Sequence, residues 1–338
     1  MVWKIPRILI VAVIIAFLSG CAYNKSFVGS ANAQVRSAWI TYWDLADGEK
    51  DLDSIGRKLN KLVYFAAYFD ESDHLFVPAV FSGKAANSRK TGKNYETYLS
   101  FVNDKLNADG SVVLKDLEIL RRWFADDVSM EKHIDEIIAL TLAGGYDGVE
   151  IDYERLWEEE DIGLPFMRFA EKLYQKTLKN NLKLRLVFEP GTPFSGVEFF
   201  AGPEYVVMFY NLYGVHSGPG PKADGNFIRD TIKKMEFLPG KKSVAISTGG
   251  CLWGSNGDTE FISEVDARNL ARKYKAETKR DKESQCLVFS YEDNGVSYVV
   301  WYADVNTLNY WITLSNRQEQ NNISIWCLGG NVNLRRIN

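Results

Sequence analysis

The sequence predicts an α/β chain whose parallel strands close into a (β/α)8 TIM barrel. Two observations carry this. Eight short apolar segments recur along residues 37–338, most of them separated by stretches with helical spacing of apolar residues. Several segments also run out into glycine, asparagine or aromatic residues, as the functional end of such a barrel requires. No internal repeat, low-complexity tract or linker interrupts 37–338, so it reads as one domain.

Taken in order, the first strand is 38–43. A short helix follows at 51–60, then a strand at 62–69 that is apolar on both faces, as a doubly covered parallel strand should be. Residues 70–96 are polar and carry no helical pattern. A strand at 98–103 leads to helices at 117–124 and 130–143, the second with Ser129 as N-cap. The fourth strand lies in 144–154. A long amphipathic helix starts at Pro165, with Phe166, Phe169, Ala170 and Leu173 on its inner face. Strands at 182–189, 205–210 and 242–248 follow, with a helix at 227–235 between the last two. Residues 264–274 are helical. The turn Glu292-Asp293-Asn294-Gly295 makes a small β-hairpin of 287–291 and 296–302, inserted before the eighth strand. A helix at 305–314 and a strand at 323–328 end the pattern. Nothing after Trp326 forms a closing helix, and the second and fifth helices are weak. The barrel is expected to be irregular.

The first 21 residues read as a targeting segment. Lys4 and Arg7 form a basic n-region, and residues 8–18 an apolar stretch too short for a comfortable membrane span. Leu18-Ser19-Gly20-Cys21 resembles a bacterial lipobox, which would leave Cys21 as the lipidated N-terminus of an extracytoplasmic, membrane-anchored lipoprotein. Residues 22–36 are small and polar and read as a tether.

Composition narrows the function. The chain is 46% hydrophobic and 13% aromatic, enough for a large core with aromatics left over for a sugar-binding cleft. A net charge of −4 argues against nucleic acid. His74, His133 and His216 lie far apart without ligand spacing, so neither a metal nor another cofactor is expected. Outside the targeting segment the cysteines are Cys251, Cys286 and Cys327. Cys251 and Cys327 end neighbouring strands and are candidates to pair.

The chemistry concentrates in Gly144-Gly145-Tyr146-Asp147-Gly148-Val149-Glu150-Ile151-Asp152-Tyr153-Glu154, a glycine turn running into the fourth strand. Side chains on a strand switch faces at every residue, so Glu150, Asp152 and Glu154 share one face, each about 6.5 Å from the next. Stacked carboxylates oppose joint ionisation and raise at least one pKa, as a proton donor working near neutral pH needs. Asp147 lies outside the alternation and reads as a structural acid at the strand's start.

This stretch resembles the DxxDxDxE signature of glycoside hydrolase family 18, with Asp147, Glu150, Asp152 and Glu154 at its four acidic positions. Glu150 departs from the pattern, being longer than the family's Asp. Val207-Met208-Phe209-Tyr210-Asn211 is similar to the family's sixth-strand Met-x-Tyr-Asp, with Asn211 replacing the acid. Ile325-Trp326-Cys327-Leu328-Gly329 resembles its eighth-strand tryptophan segment. Residues 298–304 resemble the branch that includes spore-cortex and LysM-linked peptidoglycan glycosidases.

The resemblance implies retaining, substrate-assisted hydrolysis of a β-linked glycan containing N-acetylglucosamine, of peptidoglycan, chitin or N-glycan type. It makes Glu154 the catalytic acid and base, Asp152 its partner and Tyr210 the group holding the reacting acetamide. Trp326 would floor the sugar, and Asn211 and Glu150 would shape the site. Among residues that follow or end strands, Trp43 and Tyr213 are substrate-binding candidates, with Tyr68, Asn103 and Trp253 as further cleft candidates. Glu189 is a possible extra cleft acid. The alternative function is a catalytically inactive, lectin-like barrel that binds glycans at the cell surface.

Overall fold

The computed structural model describes residues 34–90 and 94–338. The targeting segment and Cys21 lie outside the described residues. Eight parallel strands form a closed ring: β1 (Gln34–Thr41), β2 (Lys61–Phe69), β3 (Glu96–Leu106), β4 (Gly148–Asp152), β5 (Lys183–Phe188), β6 (Glu204–Met208), β7 (Lys241–Ser247) and β8 (Asn322–Leu328). Each pairs with the next, and β8 pairs with β1. The expected TIM barrel is borne out. Its first strand begins at Gln34, inside the stretch read as a tether, because Gln34 pairs with Asn322 and Val35 is buried.

The helices are α1 (Leu45–Ile55), α2 (Lys84–Lys90), α3 (Leu117–Trp123), α4 (Asp127–Gly144), α5 (Glu160–Lys179), α6 (Gly225–Lys234), α7 (Glu264–Lys273) and α8 (Val305–Arg317). Irregularity falls where the sequence places it. A single 3-10 turn, Phe194–Gly196, stands between β5 and β6, and another, Leu334–Arg336, follows β8.

Several boundaries differ from expectation for identifiable reasons. Helix α1 starts six residues early. Gly48 lies inside it at a point of close approach, where a Cβ would lie 2.8 Å from Ile40. Helix α4 is capped by Asp126, whose carboxylate accepts from the backbone N–H of Ser129 at 2.8 Å; Ser129 is already inside the helix. Helix α5 begins five residues before Pro165, where Glu160 and Asp161 complement the positive end of the helix. The short polar α2 carries no apolar periodicity that would announce it.

The larger difference is the insertion after β7. It is a five-stranded antiparallel sheet, in the order 259–262, 249–254, 296–303, 287–293, 279–280, rather than a hairpin alone. Gly249, at φ +59, turns the chain straight from β7 into the first inserted strand. Leu252, Ile262, Phe289, Val300 and Tyr302 pack with Ala267 of α7 into a separate small core.

Strand β4 is buried on both faces. Val149, Ile151 and Tyr153 point outward under the helices. There Tyr153 hydroxyl meets His133 Nε2 at 2.7 Å, within a stack that includes Phe69, Trp123 and Phe169. Burial holds the His133 pKa down at about 3, so this histidine is a neutral core residue. Two glycines set up the strand. Gly145 ends α4 in the left-handed region at φ 70, and a Cβ on Gly148 would lie 2.3 Å from the Tyr98 ring. Asp147 is structural, as expected: its carboxylate accepts from Thr97 N and Thr97 Oγ1 at 2.8 and 3.0 Å.

Inside the barrel the register aligns Ser100, Glu150, Arg185 and Glu204 on four adjacent strands. Neighbours in parallel register present their side chains to the same face, so charges of alternating sign meet there. Arg185 Nη1 lies 3.1 Å from Glu150 Oε2, close enough for an ion pair although not aligned as a hydrogen bond. Arg185 Nε lies 3.7 Å from Glu204 Oε1, and Lys61 reaches Glu204 at 2.8 Å. Arg185 Nη2 also donates to Ser324 Oγ at 3.2 Å. Glu150 and Arg185 are wholly excluded from solvent. Removing one partner of such a pair strands the other, at a cost of about 3–5 kcal/mol. Arg185→Leu is therefore expected to lose roughly that much stability in urea unfolding. The Glu150→Leu/Arg185→Leu double variant should recover a large part of it. Unchanged stability in Arg185→Leu would show that the row is not coupled.

Candidate active site

The carboxyl-terminal ends of the strands open into a cavity of about 520 Å³, within the ~300–1,000 Å³ typical of ligand sites. Asp152, Glu154, Tyr210, Asn211, Trp326 and Trp43 line it, so six of the candidate site residues are brought together. Glu150 lies beneath, in the ion-paired row, and does not reach the cavity. Tyr213 is not among the lining residues; its ring packs on Gly220, where a Cβ would lie 2.4 Å away.

The other expected cleft residues have mostly structural contacts. Trp253 Nε1 donates to the carbonyls of Gly214 and Ser217, holding the loop after β6 against the inserted sheet. Tyr68 is buried edge-on against Tyr42. Asn103 fixes the acid's backbone: its Oδ1 accepts from Glu154 N at 2.9 Å and its Nδ2 donates to Glu154 O at 3.2 Å. Glu189 Oε2 accepts from Arg155 N at 2.7 Å, closing the turn after β4. The thiols of Cys251, Cys286 and Cys327 are all free, so the Cys251–Cys327 pairing does not occur. Cys251 lies on an inserted strand rather than at the end of β7, which removes the premise of that pairing.

The three acids of β4 sit in a gradient of compensation. Burial pushes the Glu150 pKa up, while Arg185, the Trp39 indole N–H at 2.5 Å and Ser100 pull it back without cancelling the shift. Asp152 is buried with far less help. Desolvation, then Glu154 and Glu150, hold its carboxyl well above the usual range, and its Oδ1 has no hydrogen-bond partner in the protein. Glu154 is raised to about 7, again first by burial; Lys115 pulls it down and Glu189 and Asp104 push it up.

Lys115 is in direct contact with Glu154 Oε2. An ion pair of that kind ordinarily lowers a carboxyl's pKa, but desolvation outweighs it here. Lys115 itself stands in the left-handed region at φ 55, its N–H held at 2.7 Å by the Asp104 carboxylate. Neither residue belongs to a periodic pattern or to the matched segments, so pairing across the fold is the only signal that identifies them.

Aromatic groups complete the walls. Trp326 packs edge-on against Phe65 at 4.6 Å and Trp39 at 5.8 Å between ring centroids. Trp43 and Phe261 stand more than half exposed at the cavity's edge. Phe261 comes from the inserted sheet, which thus supplies part of the site. Asn211 occupies the left-handed region at φ 67, a conformation asparagine tolerates better than most residues. Among the described residues no group of three His, Cys, Asp or Glu side chains is placed to hold a metal ion.

No protein-family model matches the chain. It is similar to an uncharacterized glycosylase, YvbX, of Bacillus subtilis (strain 168), at 24% identity over 231 residues, covering 63% of this chain and 66% of that protein. It is also similar to the cortical fragment-lytic enzyme of Bacillus cereus, at 24% identity over 307 residues, covering 83% and 68%. The chain thus spans about two thirds of the length of these curated relatives.

Among solved structures, a chitinase from Chromobacterium violaceum ATCC 12472 superposes with a TM-score of 0.75 at 17% identity, covering 90% of this chain and 96% of that one. The Bacillus cereus spore cortex-lytic enzyme SleL gives 0.73 at 20% identity, covering 89% and 72%. A class V chitinase from Nicotiana tobaccum in complex with NAG4 gives 0.72 at 14% identity, covering 90% and 97%. These likenesses bear out the barrel. They fall among the chitinases and cortex-lytic glycosidases that the fourth-strand motif resembles.

Because Lys115 favours the ionised form of Glu154, Lys115→Met is expected to move the Glu154 titration above its parental value of about 7. Carboxyl-carbon NMR of glutamate-labelled protein reads this directly. A downward move, or none, would show that the lysine does not act on the acid.

Proposed function

We propose that the chain is a glycoside hydrolase that cleaves β-linked glycans containing N-acetylglucosamine, with retention and with assistance from the substrate's own acetamide. The observation that carries this reading is Glu154: a cleft carboxyl with its pKa near 7, two residues from the protonation-prone Asp152, in a cavity walled by aromatic rings. A carboxyl poised near neutrality can give a proton and then take one back.

The resemblance of these segments supports the following sequence of events. Trp326 offers a flat apolar face to the sugar ring, and Tyr210 and Asp152 bracket its 2-acetamido group. The acetamido oxygen attacks the anomeric carbon as the bond to the glycosidic oxygen breaks. Glu154 delivers its proton to that departing oxygen, leaving a free hydroxyl on the leaving sugar. Asp152 orients the acetamido nitrogen and stabilises the positive charge on the cyclic intermediate. Ionised Glu154 then removes a proton from water, which attacks the same carbon and restores both acetamide and acid. Asn103 is a positioning residue in this scheme, since it fixes the Glu154 backbone through two hydrogen bonds.

The printed names of the relatives, glycosylase, cortical fragment-lytic enzyme and chitinase, support glycan hydrolysis. The lipobox at Leu18–Cys21 supports an extracytoplasmic, lipid-anchored protein acting on cell-wall glycan. Loss of radiolabelled fatty acid from Cys21→Ala tests the anchor; a labelled variant would refute it.

Glu154→Gln keeps the shape but cannot transfer a proton. It is expected to reduce turnover of chitooligosaccharides or peptidoglycan fragments by roughly 10²–10⁴-fold. In the parent, kcat/KM should fall as pH rises through about 7, because the protonated acid is the active form. Hydrolysis by Glu154→Gln at the parental rate would sink the mechanism. The Lys115 contact, which opposes protonation of the acid, favours a second reading, a barrel that binds glycans without cleaving them. Binding without turnover at any pH from 5 to 8 would establish that reading instead.

A further inference from the structure

Two lysines line the cavity. Lys115 has a carboxylate partner in Glu154. Lys222 has none among the described residues. Its Nζ donates to Ser247 Oγ at 3.0 Å and to the Thr248 carbonyl at 3.1 Å, and lies 5.2 Å from the centre of the Phe261 ring. These contacts anchor the ammonium without neutralising it, and they use two of its three N–H donors. The thiols around it supply no negative charge either. Burial pushes Cys286 and Cys327 up to about 12 and raises Cys251, so all three are neutral near pH 7. Asp44 also lines the cavity, and the charges acting on it are those of Asp47, Asp51, Asp266 and Lys50.

A partly desolvated, unmatched charge is costly, and burial accordingly lowers the Lys222 pKa. Uncharged residues of similar length would tie the same loop to β7 without that cost. We infer that the Lys222 ammonium, held in place by Ser247 and Thr248 and with its third N–H donor left over, forms an anion-binding subsite for a negatively charged substituent, a carboxylate or a phosphate, on the glycan in the cleft. The location fits. Thr248 N donates to the Trp326 carbonyl at 2.6 Å, so the ammonium stands beside the tryptophan proposed to carry the sugar. N-acetylglucosamine units are neutral, and the anion must therefore be an added group, such as the lactyl carboxylate of a muramic acid residue.

This inference rests on the glycosidase reading for its substrate but not for its test. Binding is measured calorimetrically with the Glu154→Gln protein, which needs no turnover. The probes are chitotetraose, a tetrasaccharide of alternating N-acetylglucosamine and N-acetylmuramic acid with free lactyl carboxylates, its methyl ester, and 6-phosphorylated chitotetraose. An anionic probe is expected to bind about tenfold tighter than its neutral counterpart, the two anionic arms showing which group is preferred. Adding Lys222→Met should abolish that preference while leaving chitotetraose affinity within about twofold. Lys222→Arg should retain part of it. Equal binding of acid and ester, or an equal loss on neutral and charged probes in Lys222→Met, would overturn the subsite and leave Lys222 a structural tie. Should anionic glycans bind through Lys222 while the parent cleaves none of the four probes, the glycosidase reading fails and the subsite stands.

Discussion

A row of carboxylates can enter a barrel interior only if the charge beneath it is met. Arg185 does this. It is fully buried on β5, in register with Glu150 on one side and Glu204 on the other, and it stacks within 5.3 Å of the Trp39 ring centre. Glu204 shows the result: burial raises its pKa, but Arg185 and Lys61 outweigh that and hold it below the ordinary value. The lower layer of the barrel is thus a compensated ion network. Without it, Asp152 and Glu154 would stand above unpaired negative charge.

Compensation then declines towards the mouth. Glu150 has an arginine and an indole N–H; Asp152, two residues on, has an unpartnered oxygen and acids on both sides. Glu154 regains a cation in Lys115 but keeps a pKa near 7, because the cavity wall removes water from it. One strand therefore carries three carboxyl groups with three different tendencies to hold a proton, and environment rather than residue type separates them. The longer Glu150 side chain belongs to this arrangement: it meets the buried arginine and does not reach the cavity.

Much of this was legible in the chain itself, because it depends on period. Alternation along 149–154 places the acids inward and Val149, Ile151 and Tyr153 outward, as found. The eight strands and the weak fifth helix follow from apolar runs and their spacing. What could not be read depends on pairing between distant residues. Arg185 reads as one polar residue in an apolar strand, and only the register shows that it faces Glu150. Lys115 and Lys222 lie in loops without pattern. Gly249 misleads for a related reason: it reads as the end of a strand, yet it is a direct passage into a new sheet.

The inserted sheet connects these strands of evidence. A bare barrel end is a shallow bowl, and the acids of β4 would face open water. The chain turns at Gly249 to raise a five-stranded wall whose Phe261 lines the cavity over Lys222, while Trp253 of the same sheet grips the loop from which Lys222 comes. Excluding water serves two charges of opposite sign. Burial raises the pKa of Glu154 on one side of the cavity and lowers that of the half-buried Lys222 on the other. The inserted sheet thus bears directly on the lysine, and the proposed anionic substituent would meet the charge that Phe261 covers, beside Trp326.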